Sequence, residues 1–196
     1  MYLIGASGHA KVIMDILKSQ GIEVDALYDE NENITGLLGK PVLHHKNFAT
    51  PLIISIGNNK IRKRIAEALD LDFGMAIHSS AIISPFATIG EGTVVMQGAI
   101  IQSCATIGNH CIINTGATVD HDCELQDYVH ISPNSTLCGN VFVGEGTHIG
   151  AGSVILPGVK IGKWCVIGAG SVVAKDIPDY VLAVGNRCKI IKTIGG

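Results

Sequence analysis

Residues 107–131 read IGNHCIINTGATVDHDCELQDYVHI, and every sixth residue of the stretch (Ile107, Ile113, Val119, Leu125, Ile131) is a large aliphatic. Extended both ways without an insertion, the series runs from Ile77 to Val173, seventeen aliphatic residues at seventeen successive sixth positions. Such a period is incompatible with an amphipathic α-helix, whose apolar positions recur every 3.6 residues. It is three times the two-residue period of a strand, so each hexad can turn its aliphatic residue, counted here as position one, to the same side. Three hexads then close a triangular coil of eighteen residues with the aliphatics stacked inside. Position five holds small or β-branched residues, among them Ala105, Cys111, Ala117 and Cys123, suited to tight corners. Glycine often occupies position two, as in Ile89-Gly90, Ile107-Gly108 and Ile161-Gly162, where it is expected to relieve backbone strain at the turns. Stacked at ~4.8 Å per coil, the repeats predict a prism roughly 27 Å long.

The composition agrees with a backbone-dominated architecture. Of 196 residues, 24 are Gly and only 5% are aromatic, too few for a core built on large rings. The net charge of −3 gives no basic face for nucleic acid. No apolar run approaches the ~18 residues that span a membrane. The N-terminal MYLIGASGHAKV lacks the features of a signal peptide, so a soluble, cytoplasmic chain is expected. The six cysteines form no C-x-x-C pair. Cys111, Cys123 and Cys165 all fall on position five, which predicts packing rather than metal binding or disulfides. The repeat resembles that of the hexapeptide-repeat family, whose members form left-handed parallel β-helices.

Residues 1–74 read differently. Tyr2–Ile4 is a predicted strand, followed by Gly5-Ala6-Ser7-Gly8-His9 and a helix over Ala10–Gln20 with Val12, Ile13, Ile16 and Leu17 on one face. A second strand spans Glu23–Tyr28 and ends at Asp29-Glu30. Leu52–Ile56 reads as a buried strand before Gly57-Asn58-Asn59, and Ile61–Leu69 as a helix. Strand, glycine loop, helix and strand make a Rossmann-like βαβ unit. Its glycine loop places backbone N–H groups at a helix N-terminus, where they can meet a phosphate. The loop departs from G-x-G-x-x-G, which favours a nucleotide other than NAD; a tight turn with no ligand is the alternative. The predicted organisation is an α/β domain over 1–74, an all-β left-handed parallel β-helix over 75–178, and a C-terminal tail over 179–196.

Register sorts the histidines. His121 and Asp122 occupy hexad positions three and four, which face outward, so neither fills the core. An imidazole can take a proton from an amine or hydroxyl near neutral pH, and an adjacent carboxylate fixes its tautomer and raises its basicity. A solvated histidine beside an acid is the competing reading. His130, nine residues on, is expected on the next face of the coil, within reach of the same groove. His110 and His148 are expected on the surface. Ala99, Val154 and Leu156 are expected on outward faces that need partners.

Gly5-Ala6-Ser7-Gly8-His9, Ile56-Gly57-Asn58-Asn59 with Ile61-Arg62-Lys63, and Asn114-x6-His121-Asp122-Cys123 ahead of His130 are together similar to one group. It is the sialic acid O-acetyltransferase and UDP-4-amino-sugar N-acetyltransferase family of the bacillosamine-pathway type. The resemblance covers essentially the whole chain. It implies a homotrimer with acetyl-CoA bound between adjacent prisms and a nucleotide-linked amino sugar as acceptor. His121 would be the general base and Asp122 the acid that increases its basicity. His130, Ala151 and Ala169 would contact acetyl-CoA. Ser7, Gly8, His9, Asp29, Glu30 and Gly57 would hold the nucleotide-sugar. Asp122 stands where some relatives have Glu, and Ala169 where some have Gly. No acyl-enzyme and no metal are expected. O-acetylation of sialic acid or another sugar hydroxyl, and a trimeric nucleotide-sugar-binding scaffold without turnover, remain as alternatives. A zinc site of the carbonic anhydrase type needs three converging histidines, and only His121 and His130 are suitably grouped.

Overall fold

The computed structural model describes residues 1–195. Tyr2–Ile4 (β1), Ala26–Tyr28 (β2), Lys40–Leu43 (β4) and Leu52–Ile54 (β5) form a parallel sheet, with Gly36–Leu37 (β3) added antiparallel at one edge in the order β3-β4-β2-β1-β5. Helix α1 (Gly8–Ser19) links β1 to β2, and α2 (Asn59–Glu67) follows β5. The hairpin of β3 and β4 was not foreseen, because both strands are short and carry little alternation.

Among the described residues, seventeen two-residue strands follow, β6 (Ala76–Ile77) to β22 (Val172–Val173). Each pairs in parallel with the strand eighteen residues away, as Ile112–Ile113 pairs with Val94–Val95 on one side and His130–Ile131 on the other. They make three sheets, the faces of a parallel β-helix. The position-one aliphatics from Val95 to Val173 are buried, and those of the open first coil (Ile77, Ile83, Ile89) are half-buried. Ala99, read as outward-facing, is buried in this core; it stands at position five, and position five points inward.

Two corner positions do different work. From Gly92 to Gly170 the backbone at position four is left-handed whatever the residue: glycine at Gly92 or Gly116, with φ 68° and 65°, but also Cys104, His110, Asp122, Tyr128, Asn140 and Trp164, with φ between 51° and 62°. At position two, glycine serves close approach rather than turn strain. A Cβ on Gly108 or Gly144 would lie 2.7 Å or 2.6 Å from a backbone nitrogen of the next coil. Position five often carries a donor that ties coils together. Ser135 Oγ donates to Gly150 O (2.9 Å), Thr147 Oγ1 to Gly162 O (2.7 Å) and Cys123 Sγ to Cys138 O (3.2 Å).

The N-terminal unit is packed on one face of the prism. Ile13, Ile16 and Leu17 of α1 share a core with Ala76, Val94, Met96 and Ile112 of that face. The same face is extended by β23 (Val181–Val184) and β24 (Lys189–Thr193), with Val181 and Ala183 closing the end of the helix core. Arg62 of α2 is 1% exposed. Its guanidinium donates to His110 O (2.7 Å), Tyr128 O (3.0 Å), Ile56 O (3.0 Å), Asn59 Oδ1 (2.9 Å) and Gly57 O (3.4 Å). All five of its N–H groups thus have neutral acceptors drawn from both units. Burial lowers its pKa to about 10, so it stays charged.

Candidate functional site

The loops after β1, β2 and β5 bring Ser7, Gly8, His9, Asp29, Glu30 and Gly57 to the carboxyl edge of the parallel sheet, where open α/β sheets bind ligands. Gly5 has φ +102°, and a Cβ there would meet Ile56 Cγ1 at 2.8 Å, so this glycine is required by the fold. Gly8 and Gly57 differ: a Cβ at either would meet nothing within 4 Å. The protein itself leaves the space in front of them open. Ser7 is the extended N-cap of α1, and its side chain makes no capping bond. Asp29 turns inward to the loop, with Oδ2 accepting from Ala6 N (2.8 Å) and Oδ1 from Asn31 N (2.9 Å). Its carboxylate therefore braces the glycine loop.

Behind these loops lies a histidine cluster. His130 stacks on His148 with ring centroids 4.6 Å apart and planes 4° from parallel. Asn114 Nδ2 donates to His130 Nε2 (3.2 Å), which puts the ring proton on Nδ1, a buried atom without a hydrogen-bond partner. His148 Nε2 and Ser132 Oγ share a hydrogen bond of 2.7 Å. His9 Nε2 is likewise buried and unpartnered. Burial, then the charges of His148, Arg62 and His9, hold His130 down to about 3; burial and Arg62 hold His9 at about 4. All are neutral imidazoles at pH 7.

His110 and His148 are not surface residues. His110 is 4% exposed, stacked on Tyr128 at 5.5 Å and edge-on to Phe73 at 4.6 Å. His148 is half-buried beneath the stack with His130. Both stand at positions that a bare prism would expose, and the N-terminal unit covers them.

His121 and Asp122 lie at another corner, between Thr118–Val119 and Glu124–Leu125, and both are exposed. His121 Nδ1–H donates to Asp122 Oδ2 (2.8 Å), so Nε2 carries the free lone pair. The Asp122 bond, then the charge of Asp120, raises the His121 pKa. Asp120 Oδ1 also accepts from His121 N (2.7 Å). The imidazole lies against Gly139 of the next coil, where a Cβ would come within 2.6 Å of Cε1 and 2.7 Å of Nε2. Asp120 and Gly139 escaped the sequence reading because their roles arise from backbone geometry and coil stacking.

Within one protomer His130 does not share a groove with His121, because the two residues sit on different faces. Ala151 and Ala169 stack in successive coils at the corner beside the His130–His148 face, linked by Gly170 N–H to Ala151 O (2.8 Å). The sheet between that corner and the His121 corner presents Ile82, Ile100, Thr118, Thr136, Val154 and Val172 outward. Among the described residues no group of three or more His, Cys, Asp or Glu is placed to hold a metal ion, and no helix is long and apolar enough to cross a membrane.

Residues 1–69 match the family described as PglD N-terminal domain, and residues 104–139 and 140–175 match bacterial transferase hexapeptide (six repeats). The structure is similar to that of perosamine N-acetyltransferase from Caulobacter crescentus, solved with CoA and GDP-perosamine, at 40% identity and a TM-score of 0.93 over 97% of this chain and 96% of that one. It is similar to the acetyltransferase domain of PglB from Neisseria gonorrhoeae at 36% identity and a TM-score of 0.90, over 97% and 98% of the two chains. UDP-N-acetylbacillosamine N-acetyltransferase of Bacillus subtilis is 44% identical over 108 residues, 48% of this chain and 50% of that enzyme. The matched stretches span half or less of the curated relatives. An N-terminal PglD-type unit, hexapeptide repeats and identity along nearly the whole of a solved relative lead to one statement: the chain belongs to the hexapeptide-repeat acyltransferases of the sugar N-acetyltransferase family.

Proposed function

We propose that the protein transfers an acetyl group from acetyl-CoA to the amino group of a nucleotide-linked amino sugar, with His121 as general base. The observation that carries the reading is the His121–Asp122 pair. Its hydrogen bond fixes the tautomer that leaves Nε2 free, at an exposed corner where two substrates can meet. The complexes of the Caulobacter relative with CoA and GDP-perosamine support the substrate class. The neutral amine attacks the thioester carbonyl, and Nε2 takes the proton the nitrogen loses as the C–N bond forms. The tetrahedral intermediate then breaks its C–S bond, and the imidazolium returns the proton to the departing thiolate.

The acceptor is read at the Ser7-Gly8-His9, Asp29-Glu30 and Gly57 loops. Gly8 and Gly57 leave room for phosphates, and α1 directs its positive end at them. Acetyl-CoA is assigned to His130, Ala151 and Ala169, which occupy a different edge of the prism from His121. Packing of copies through the Ile82–Val172 face would set one protomer's His121 edge beside its neighbour's Ala151–Ala169 edge, and we assign a homotrimer on that basis.

Thiol release from acetyl-CoA, screened against UDP-, GDP-, dTDP- and CMP-linked amino and neutral sugars, tests the reaction. Turnover with an amino sugar and none with its hydroxyl counterpart is expected; the reverse would make the enzyme an O-acetyltransferase. Light scattering should give three times 20.6 kDa, and a fully active monomer would sink the shared site.

A further inference from the structure

The charges of the chain are unevenly placed along the prism. Residues 65–159, which include every coil up to Ile155, hold nine Asp and Glu and no Lys or Arg. Residues 160–193, the last turns with the closing hairpin of β23 and β24, hold six Lys and Arg against two Asp. All six cations (Lys160, Lys163, Lys175, Arg187, Lys189 and Lys192) are exposed, and none forms an ion pair among the described residues. The two acids of this end are engaged by the backbone. Asp176 Oδ1 accepts from Lys160 N (2.8 Å) and Asp179 Oδ1 from Lys163 N (2.9 Å).

The same end exposes apolar side chains. β24 is the outermost strand of its sheet, paired with β23 alone, and all five of its residues are exposed. The ladder slips between Leu182 and Ala183, which face Lys192 and Ile190, so Ile191 is the extra residue of a β-bulge. Ile190 and Ile191 are 49% and 58% exposed. Neither closes the prism, which Val181 and Ala183 of β23 do. Lys189 and Lys192 alone would guard a free edge against pairing with another strand. Two exposed isoleucines between them serve no such purpose; they add apolar surface to the one end of the prism that is cationic.

We propose that this end docks on an anionic lipid bilayer, with Ile190 and Ile191 at the headgroup boundary and the flanking lysines among the lipid phosphates. The acidic coils behind it fix the orientation: a prism lying on its side would bring carboxylates without cations to a surface of their own sign. A plane also suits the assembly. Copies packed through the Ile82–Val172 face, which runs along the prism, stand side by side, so their three C-terminal ends face one way and meet one surface together. The docking surface exists in each copy and does not depend on the role given to His121.

Co-sedimentation of the whole protein with vesicles tests the proposal. Phosphatidylcholine vesicles containing about 30% phosphatidylglycerol should bind the protein at least about tenfold more tightly than phosphatidylcholine alone, and binding should vanish near about 0.5 M salt. The charge-reversed variant K189E/K192E should bind about tenfold more weakly or worse, and I190S/I191S should also bind more weakly. Oligomer mass and acetyl-CoA turnover in solution should be unchanged in both. Equal affinity for the two kinds of vesicle, or full binding by both variants, would overturn the docking surface. Binding to soluble poly-glutamate without binding to vesicles would make the partner an acidic protein and overturn the bilayer assignment. A raised KM for acetyl-CoA in K189E/K192E with vesicle binding intact would give these cations to the cosubstrate instead.

Discussion

His130 lies parallel to His148 at 4.6 Å, and burial lowers the pKa of both rings, with Arg62 nearby opposing any added charge. His110 is held at about 4 by the same two causes, burial first. In the unfolded chain these groups titrate near 6.5, so below that pH the unfolded state binds protons the folded state refuses. Stability should therefore be flat above about pH 6.5 and fall steadily as pH drops toward about 4. Urea midpoints measured from pH 8 to pH 4 check this. A midpoint that rises on acidification would contradict the burial of the cluster.

The His121–Asp122 contact sets the pH profile of turnover. His121→Ala should lower kcat by roughly 10² to 10⁴, the range for loss of a general base. Asp122→Asn should cost less, because the imidazole remains. The carboxylate raises the pKa of His121, so its removal should move the acid limb of kcat to lower pH. Steady-state rates between pH 5 and 9 separate the two variants. A limb that moves upward would reverse the assigned coupling.

Gly139 forms the floor beneath the His121 ring. A methyl group there would force the imidazole aside by an ångström or so, an easy motion for an exposed side chain. Gly139→Ala should leave the melting temperature within a few degrees of the parent yet reduce kcat about 10- to 100-fold, the cost of misplacing a reacting group. Unchanged kcat would mean that ring placement is set elsewhere.

Arg62 offers a test of docking that does not involve activity. Arg62→Lys keeps the charge but cannot reach acceptors on five sides, leaving buried carbonyls of His110, Tyr128 or Ile56 unpaired. A loss of about 2–4 kcal/mol in unfolding free energy is expected from two or so unsatisfied groups. Chemical denaturation measures it, and a loss below about 0.5 kcal/mol would show that water replaces the guanidinium.

The prism was legible because its repeat is local: an aliphatic every sixth residue has only one way to be buried on every coil. The outward corner placement of His121 and Asp122 follows from the same register. His110 and His148 were misread for the opposite reason. Their burial comes from α2 and the glycine loop packing on one face, a contact between segments that no period records. The position-two glycines were assigned to turn strain because sequence shows that a side chain is missing, not what would have struck it. Only the stacked coils show that the obstacle is the neighbouring backbone, while positive φ belongs to position four.

The eighteen-residue ladder also limits how such a chain can diverge in length. Adding or removing one residue within a coil would turn every later aliphatic away from the axis, unless the extra residue were looped out at a corner. Growth of the prism is therefore quantised. Whole coils can be gained or lost, loops can sprout from corners, and the spacing between the His121 corner and the N-terminal unit changes in steps of about 4.8 Å or not at all.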